Sequence, residues 1–167
     1  MRKIIFPIKF YLLAFIFFLQ LTLPTCYRAF SQTTPETNAK QWSLRQTEIE
    51  QFYQEGDLQS ALNIAQEAVS LAETAFGSAS LETISSLLLQ AQIHSELDQL
   101  EEANQIYQTA LETTVSAFGE SDAATLSVLD SYGEFLNSID PEMAEPILTE
   151  ALRLSEDEDP QRAARMK

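Results

Sequence analysis

The side chains that most often carry out chemistry are scarce in this chain of 167 residues. His94 is the single histidine and Cys26 the single cysteine. A tetrahedral metal site needs several such ligands, and a nucleophilic serine needs a base, so His94 alone supports neither a zinc centre nor a catalytic triad. The four glycines are isolated and form no phosphate-binding loop. We therefore expect a protein without enzymatic activity, cofactor or metal site.

Carboxylates are the one reactive group that is abundant. The sequence holds 25 Asp and Glu against 10 Lys and Arg, which gives a net charge of −15. An acidic helical protein contains many carboxylate pairs by chance, so their spacing indicates no acid–base couple. The acidic run at residues 156–159 lacks the glycine turn and the ligand spacing of a calcium loop, and we interpret it as solvated. This charge disfavours nucleic acid and anionic membrane surfaces as partners.

The first 31 residues are typical of an export signal. Basic residues precede an apolar run at residues 10–19, and small residues near Ser31 suit a signal peptidase. Cleavage after Ser31 would leave the chain without cysteine, which fits an oxidising compartment. Two alternatives stay open: residues 4–23 are retained as a membrane anchor, or Cys26 is lipidated. In each case we expect an exported protein, periplasmic or secreted, that contacts a membrane only through a retained segment or lipid.

A helical pattern repeats through most of the remaining sequence. Apolar residues recur at i, i+3 and i+4, and glycine and proline are rare, which favours helix. Ala75-Phe76-Gly77 returns as Ala117-Phe118-Gly119, a shift of 42 residues, and a third unit follows at a shift of 41. A period of this size is typical of a solenoid. Each of the two glycines is predicted to end a helix in the left-handed conformation.

Helix caps and breaks divide the chain into segments. Residues 32–40 are polar with a central proline and are predicted to be a linker. Residues 41–156 form the repeat domain, and residues 157–167 a charged tail. Within the domain the predicted breaks and caps are Gly56-Asp57, Gly77 with Ser80, Asp98, Gly119 with Ser121 or Asp122, and Asp140-Pro141.

The repeated units resemble tetratricopeptide repeats of the longer, kinesin-light-chain type. Residues 144–148 (AEPIL), with a proline inside helix B, look like that subfamily's signature, and Gly133 and His94 fall on its helix-A glycine and aromatic packing positions. Small residues recur where helix B packs on helix A: Ala61 and Ala68, Ala103 and Ala110, Ala144 and Ala151. The resemblance covers residues 42–156 and implies an all-α fold, a right-handed α-solenoid of about three antiparallel helical hairpins. The first unit is the least regular.

The same resemblance implies a partner groove along the successive A helices. Its positions correspond to Gln46, Glu50, Tyr53, Ser85, Leu88, Gln92, Ser95, Ser127, Asp130, Glu134 and Asn137. None of these residues is basic and three are acidic. We therefore expect a neutral or basic peptide or protein partner, whose binding weakens as salt is added.

Three functions are compatible with these features. The leading hypothesis is an exported, non-catalytic protein–protein interaction module. The first alternative is a self-associating structural scaffold, in which the exposed ends of a short solenoid pair as a homodimer. The second is an accessory repeat domain of a larger envelope complex.

Overall fold

The computed structural model describes residues 34–158, and within this range the chain forms six α-helices and no strand. The helices are α1 (Pro35–Glu55), α2 (Leu58–Phe76), α3 (Leu81–Glu96), α4 (Leu100–Phe118), α5 (Ala123–Ile139) and α6 (Pro141–Glu158). They pair in chain order as three hairpins, α1 with α2, α3 with α4 and α5 with α6. The predicted all-α solenoid of three hairpins is confirmed. The predicted export signal at residues 1–31 and the end of the predicted tail lie outside the described residues.

The first helix begins earlier than the sequence pattern predicts. Residues 35–40 are helical, so the predicted linker at residues 32–40 is wrong over most of its length. Thr34 caps the helix by accepting a hydrogen bond from the Thr37 amide at 3.3 Å, and Pro35 stands in the first turn, where a missing N–H costs nothing. Asn38 is buried, which ties this first turn to the domain. At the other end, α6 continues two residues beyond the predicted boundary at 156.

Both Ala-Phe-Gly sites end a helix as predicted, although the glycine conformation differs from the prediction. Gly77 has φ 99° and ψ 155°, and Gly119 has φ 98° and ψ 167°. This is extended backbone at positive φ, which is open essentially to glycine alone. The left-handed conformation occurs at Gly56 instead, with φ 77° and ψ 10°.

A buried threonine fixes each of these two helix ends. The Thr83 hydroxyl donates to the Gly77 carbonyl at 2.8 Å, and the Thr125 hydroxyl donates to the Gly119 carbonyl at 2.7 Å. Both threonines are 1% exposed. Each hydrogen bond joins the end of one hairpin to the first turn of the next. We call this pair of contacts the glycine–threonine clasps.

Small residues let the two helices of each hairpin approach closely. The alanines predicted to recur at this contact are buried in all three hairpins. Gly133 has the same function on α5, since a Cβ atom there would lie 2.3 Å from Leu148 Cδ2 on α6. Pro146 lies inside α6, as predicted from the AEPIL string.

The A helices, α1, α3 and α5, lie side by side but are not evenly spaced. Cα atoms of α3 and α5 approach within 8 Å, whereas those of α1 and α3 do not. Side chains fill the wider gap: Trp42 Nε1 donates to Ser86 Oγ at 2.9 Å. In the part of the chain between residues 34 and 158, no helix is long and apolar enough to cross a membrane.

Candidate functional site

A cavity of about 470 Å³ lies between α3 and α5 on the side of the A helices. It is lined by Ser85, Leu88, Leu89, Gln92, Ser95 and Glu96 from α3, by Ser131, Glu134 and Phe135 from α5, and by Tyr107 from α4. Apolar side chains and polar or acidic ones therefore lie next to each other in one groove. Such a lining offers apolar contact, hydrogen-bonding groups and negative charge within one cavity.

Three aromatic rings pack together at the floor of this cavity, where Tyr107 and Phe135 line it and Tyr132 lies behind them. The Tyr107 ring lies 5.6 Å from that of Tyr132 and 5.0 Å from that of Phe135 between centroids. The Tyr132 hydroxyl donates to Asn104 Oδ1 at 2.8 Å, so the buried phenol is satisfied. Burial raises the pKa of Tyr107, and the charge of Glu134 raises it further. The floor is thus an uncharged aromatic surface next to the acidic residue Glu134.

A second cavity of about 180 Å³ adjoins the first, between α1 and α3. It is lined by Gln46, Ile49, Glu50, Tyr53, Leu89 and Gln92. Leu89 and Gln92 line both cavities, so the two lie side by side along α3. We refer to the two cavities together as the A-helix groove.

A hydrogen-bonded bridge crosses the A-helix groove where the two cavities meet. The Tyr53 hydroxyl on α1 donates to the Glu96 carboxylate on α3. The Gln92 side chain donates to the Tyr53 oxygen at 3.2 Å and to Glu96 at 3.3 Å. The hydrogen bond to Glu96 raises the pKa of Tyr53, and burial adds to the increase. The bridge connects two helices whose backbones do not pack directly against each other.

The structure brings together eight of the eleven predicted groove residues. Those that line the A-helix groove are Gln46, Glu50, Tyr53, Ser85, Leu88, Gln92, Ser95 and Glu134. Ser127 and Asn137 are exposed on α5 outside these cavities.

Asp130 lies in a different cavity from these eight residues. It lines a separate cavity of about 200 Å³ formed by α5 and α6. The reason is its position in the repeat: Asp130 corresponds to Leu88 and Gln46, and residues at that position face the following repeat. No repeat follows α6 among the described residues, so Asp130 faces outward at the end of the array.

Sequence reasoning missed several residues that line the larger cavity. Tyr107 lies on helix B, whereas the resemblance directed attention to the A helices alone. Glu96 follows Gln92 by four residues and therefore lies on the same helix face. This spacing could have been used to predict Glu96 as a groove residue. Leu89 and Phe135 carried only the pattern of packing residues, and nothing distinguished Ser131 from the other serines.

The described residues contain no cluster of metal-ligating side chains. Between residues 34 and 158, no group of three or more His, Cys, Asp and Glu is placed to hold a metal ion. His94 is 7% exposed, and its Nδ1 lies 2.6 Å from Gln99 Oε1. It lies outside the A-helix groove, so the prediction that it is a packing residue is confirmed.

Comparisons with known proteins agree with this architecture. Residues 50–114, from the second half of α1 into α4, match the family model described as tetratricopeptide repeat. The crystal structure of BtubC (BKLC) from P. vanneervenii is similar, with a TM-score of 0.64 and 20% sequence identity. That match covers 76% of this chain and 49% of BtubC, so the matched part spans about half the length of that protein. At this identity the likeness shows the fold alone. No curated protein matches the chain.

Proposed function

We propose that the chain is an exported protein–protein interaction module, because residues 50–114 are tetratricopeptide repeats of the kinesin-light-chain type. Repeats of this family generally serve as non-catalytic scaffolds that bind protein partners. The proposed ligand is a neutral or basic peptide segment, and the proposed binding site is the A-helix groove.

The charge pattern is the observation that carries this proposal. No lysine or arginine stands between Arg45 and Arg153, so the lining of the A-helix groove contains no cationic side chain. Glu50, Glu96 and Glu134 contribute carboxylates to the same lining. A carboxylate-rich ligand would find no counter-charge there, whereas a basic ligand is attracted and steered toward the groove.

The aromatic floor supports a more specific form of the ligand. Tyr107 and Phe135 provide apolar surface at the bottom of the larger cavity, and Glu134 lines the same cavity. An extended segment with one apolar residue beside a lysine or arginine would satisfy both features. The apolar residue supplies burial, and the cation supplies specificity and on-rate.

Selection from a random peptide library displayed on phage tests the proposal. The full chain, immobilised at low salt, is expected to enrich peptides that contain lysine or arginine next to an apolar residue. The double variant Glu50→Gln/Glu134→Gln should bind a selected peptide roughly tenfold more weakly, since two favourable charge interactions are lost. The matched control is Glu112→Gln/Glu120→Gln, which removes two acids outside the groove and should leave the affinity unchanged. Enrichment of acidic peptides, or equal binding by both double variants, would contradict the proposal.

Export is proposed separately, from residues 1–31 of the sequence. N-terminal sequencing of the protein from the cell envelope or medium is expected to start at Gln32. A lipidated Cys26 or an intact Met1 would replace the cleaved signal by a lipoprotein or a membrane anchor.

A further inference from the structure

Among residues 34–158, nothing covers an apolar face of the last hairpin. Leu148 and Leu152 on α6 are 37% and 61% exposed. They border the 200 Å³ cavity that also contains Asp130. We name this surface the terminal face and define it by Leu126, Asp130, Leu148, Ala151, Leu152 and Ser155.

The same face exists in the second hairpin, where the chain itself covers it. The repeat shifts of 42 on helix A and 41 on helix B give the corresponding residues as Ile84, Leu88, Tyr107, Ala110, Leu111 and Thr114. Helix α5 lies on them: Val128 belongs to one buried cluster with Ile84 and Ala110, and Phe135 packs on Tyr107. Ala110 and Thr114 are fully buried there as a result.

The first hairpin repeats the arrangement. The corresponding residues, one shift earlier, are Trp42, Gln46, Ala65, Ala68, Val69 and Ala72. Helix α3 covers them, with Ser86 accepting a hydrogen bond from Trp42 and Ile93 in one buried cluster with Ala65 and Ala68. In both hairpins a single amphipathic helix, the first helix of the next hairpin, covers the corresponding face.

We propose that the terminal face binds an amphipathic helix of a partner protein, in the position that α5 takes on the second hairpin. The partner helix presents an apolar stripe to Leu148 and Leu152 and a lysine or arginine to Asp130. This site is separate from the A-helix groove and does not depend on the function proposed for it.

Charge complementarity to Asp130 is the reason to expect a lysine or arginine on the partner helix. At the position of Asp130 the two covered hairpins have Gln46 and Leu88, which are neutral. Asp130 is exposed, and Arg153, the cation that α6 carries near this face, pairs with Glu150 at 2.6 Å. Covering Asp130 with an apolar helix alone would bury a carboxylate, which is costly unless the helix brings an opposite charge.

A second copy of the chain is a poor occupant of the terminal face. Its α1 would have to cover the face as α3 and α5 do, but the covering positions there are Leu44, Glu48 and Gln51. This stripe contains an acid, Glu48, whereas the same positions carry no charge in the two covering helices: they are Ser86, Gln90 and Ile93 in α3 and Val128, Tyr132 and Phe135 in α5. Two terminal faces pressed together would instead bring two Asp130 carboxylates into one interface, and none of the residues that define the face is a cation.

A fluorescence anisotropy titration of the full chain tests the proposal. The probe is a labelled 17-residue peptide with the sequence of α5, changed by Asp130→Lys and Glu134→Lys to make it basic. We expect saturable binding. The protein variant Leu152→Ser should weaken it roughly tenfold, because burial of a leucine side chain is lost. Leu152 is largely exposed, so this variant should fold normally by circular dichroism.

Controls separate the terminal face from other occupants and sites. Leu81→Ser removes a leucine of similar exposure, 56%, outside the face and should leave the affinity unchanged. Absence of peptide binding, or equal binding by Leu152→Ser and the wild type, would overturn the proposal. So would a dimer that light scattering shows to dissociate in Leu152→Ser, since a second copy would then be the occupant. Tighter peptide binding after removal of residues 159–167 would likewise overturn it, because the chain's own segment would be the cover.

Discussion

At the scale of single residues, Gly133 has the tightest steric constraint of the four glycines. Alanine is the better helix former by about 1 kcal/mol, so an open helical site would gain stability from the change. At Gly133 the new Cβ would lie 2.3 Å from Leu148 Cδ2 and 2.8 Å from Leu148 Cγ. Leu148 would have to move away from α5, so we expect Gly133→Ala to lower the stability of the protein instead of raising it.

We predict that Gly133→Ala destabilises the protein by about 1–3 kcal/mol, the usual range for overpacking. Urea denaturation followed by circular dichroism measures the difference. The control is the same substitution in a Leu148→Ala background, where the obstructing side chain is gone. There Gly133→Ala should be neutral or stabilising, and an equal loss of stability in both backgrounds would rule out the steric explanation.

The bridge between Tyr53 and Glu96 makes stability depend on alkaline pH. The pKa of Tyr53 is raised in the folded protein above its ordinary value near 10.0. The contribution of this raised pKa to stability is fully present below about pH 10 and is lost as the pH rises through the folded-state pKa. Ionisation places a phenolate beside the Glu96 carboxylate and breaks the hydrogen bond.

We predict that wild-type stability falls more steeply than that of Tyr53→Phe as the pH is raised above about 10, the ordinary tyrosine pKa. Urea midpoints at a series of alkaline pH values give the comparison. Glu96→Gln should reduce the steepness in the same direction, because it removes the acceptor charge. Parallel curves for the wild type and Tyr53→Phe would show that Tyr53 has no such effect.

At the scale of the helices, the glycine–threonine clasps explain why the same tripeptide occurs twice. The positive φ with extended ψ requires glycine, and the glycine carbonyl then points to the threonine six residues later. Each Ala-Phe-Gly tripeptide therefore belongs to a turn that Thr83 or Thr125 completes by donating its hydroxyl hydrogen bond to the glycine carbonyl. The repeat register places Thr83 and Thr125 at corresponding positions. Their hydrogen bonds to the glycine carbonyls, however, could be recognised only from the geometry of the turn.

We predict that Thr125→Val costs about 1–3 kcal/mol of unfolding free energy, because the Gly119 carbonyl loses a buried partner. The shape of the side chain hardly changes, so the loss reports the hydrogen bond. Thr109→Val is the matched control: its hydroxyl donates to the Gln105 carbonyl at 2.8 Å on an exposed helix face, where water can replace it. Equal effects of the two substitutions in thermal or urea unfolding would contradict the assignment.

The helices could be predicted where local residues determine their ends. Ser80, Asp122 and Asp140 each cap a helix as the sequence indicated, because capping depends on one side chain and nearby amides. The start of α1 was missed because its first turns are polar and have no apolar period.

The candidate site was predictable only in part, for a different reason. Helix periodicity identifies a face, and eight of the eleven residues do share the A-helix groove. It does not say which neighbouring helix a face meets, so the position of Asp130 in a separate cavity could not be predicted from it. Tyr107 enters the floor from helix B through tertiary packing that no local pattern encodes.

At the scale of the whole molecule, the acidic surface should make stability depend on salt. Arg45 pairs with Glu48 and with Glu67, and Arg153 pairs with Glu150. Between these two arginines the sequence has carboxylates but no lysine or arginine to offset them. Self-repulsion among these carboxylates opposes the compact state and is screened by added ions.

We predict that the melting temperature rises by a few degrees, corresponding to about 1 kcal/mol, when sodium chloride is raised from about 0.01 to 0.15 M. Differential scanning calorimetry provides the measurement. The double variant Glu112→Gln/Glu120→Gln should show a smaller rise, since fewer charges remain to be screened. A melting temperature that falls with salt would indicate that ion pairs contribute more than repulsion.

The absence of cations between Arg45 and Arg153 also determines how the protein responds to proteases and to amine reagents. Trypsin cuts after lysine and arginine, so residues 46–153 offer it no internal site whether they are folded or not. Digestion should leave this stretch as one fragment, in contrast to a protease that cuts after aromatic or acidic residues. The same stretch has no ε-amine for acylation or for amine cross-linkers. Mass spectrometry of a tryptic digest, with chymotrypsin as the comparison, would show a repeat domain that one class of enzyme cannot cleave internally.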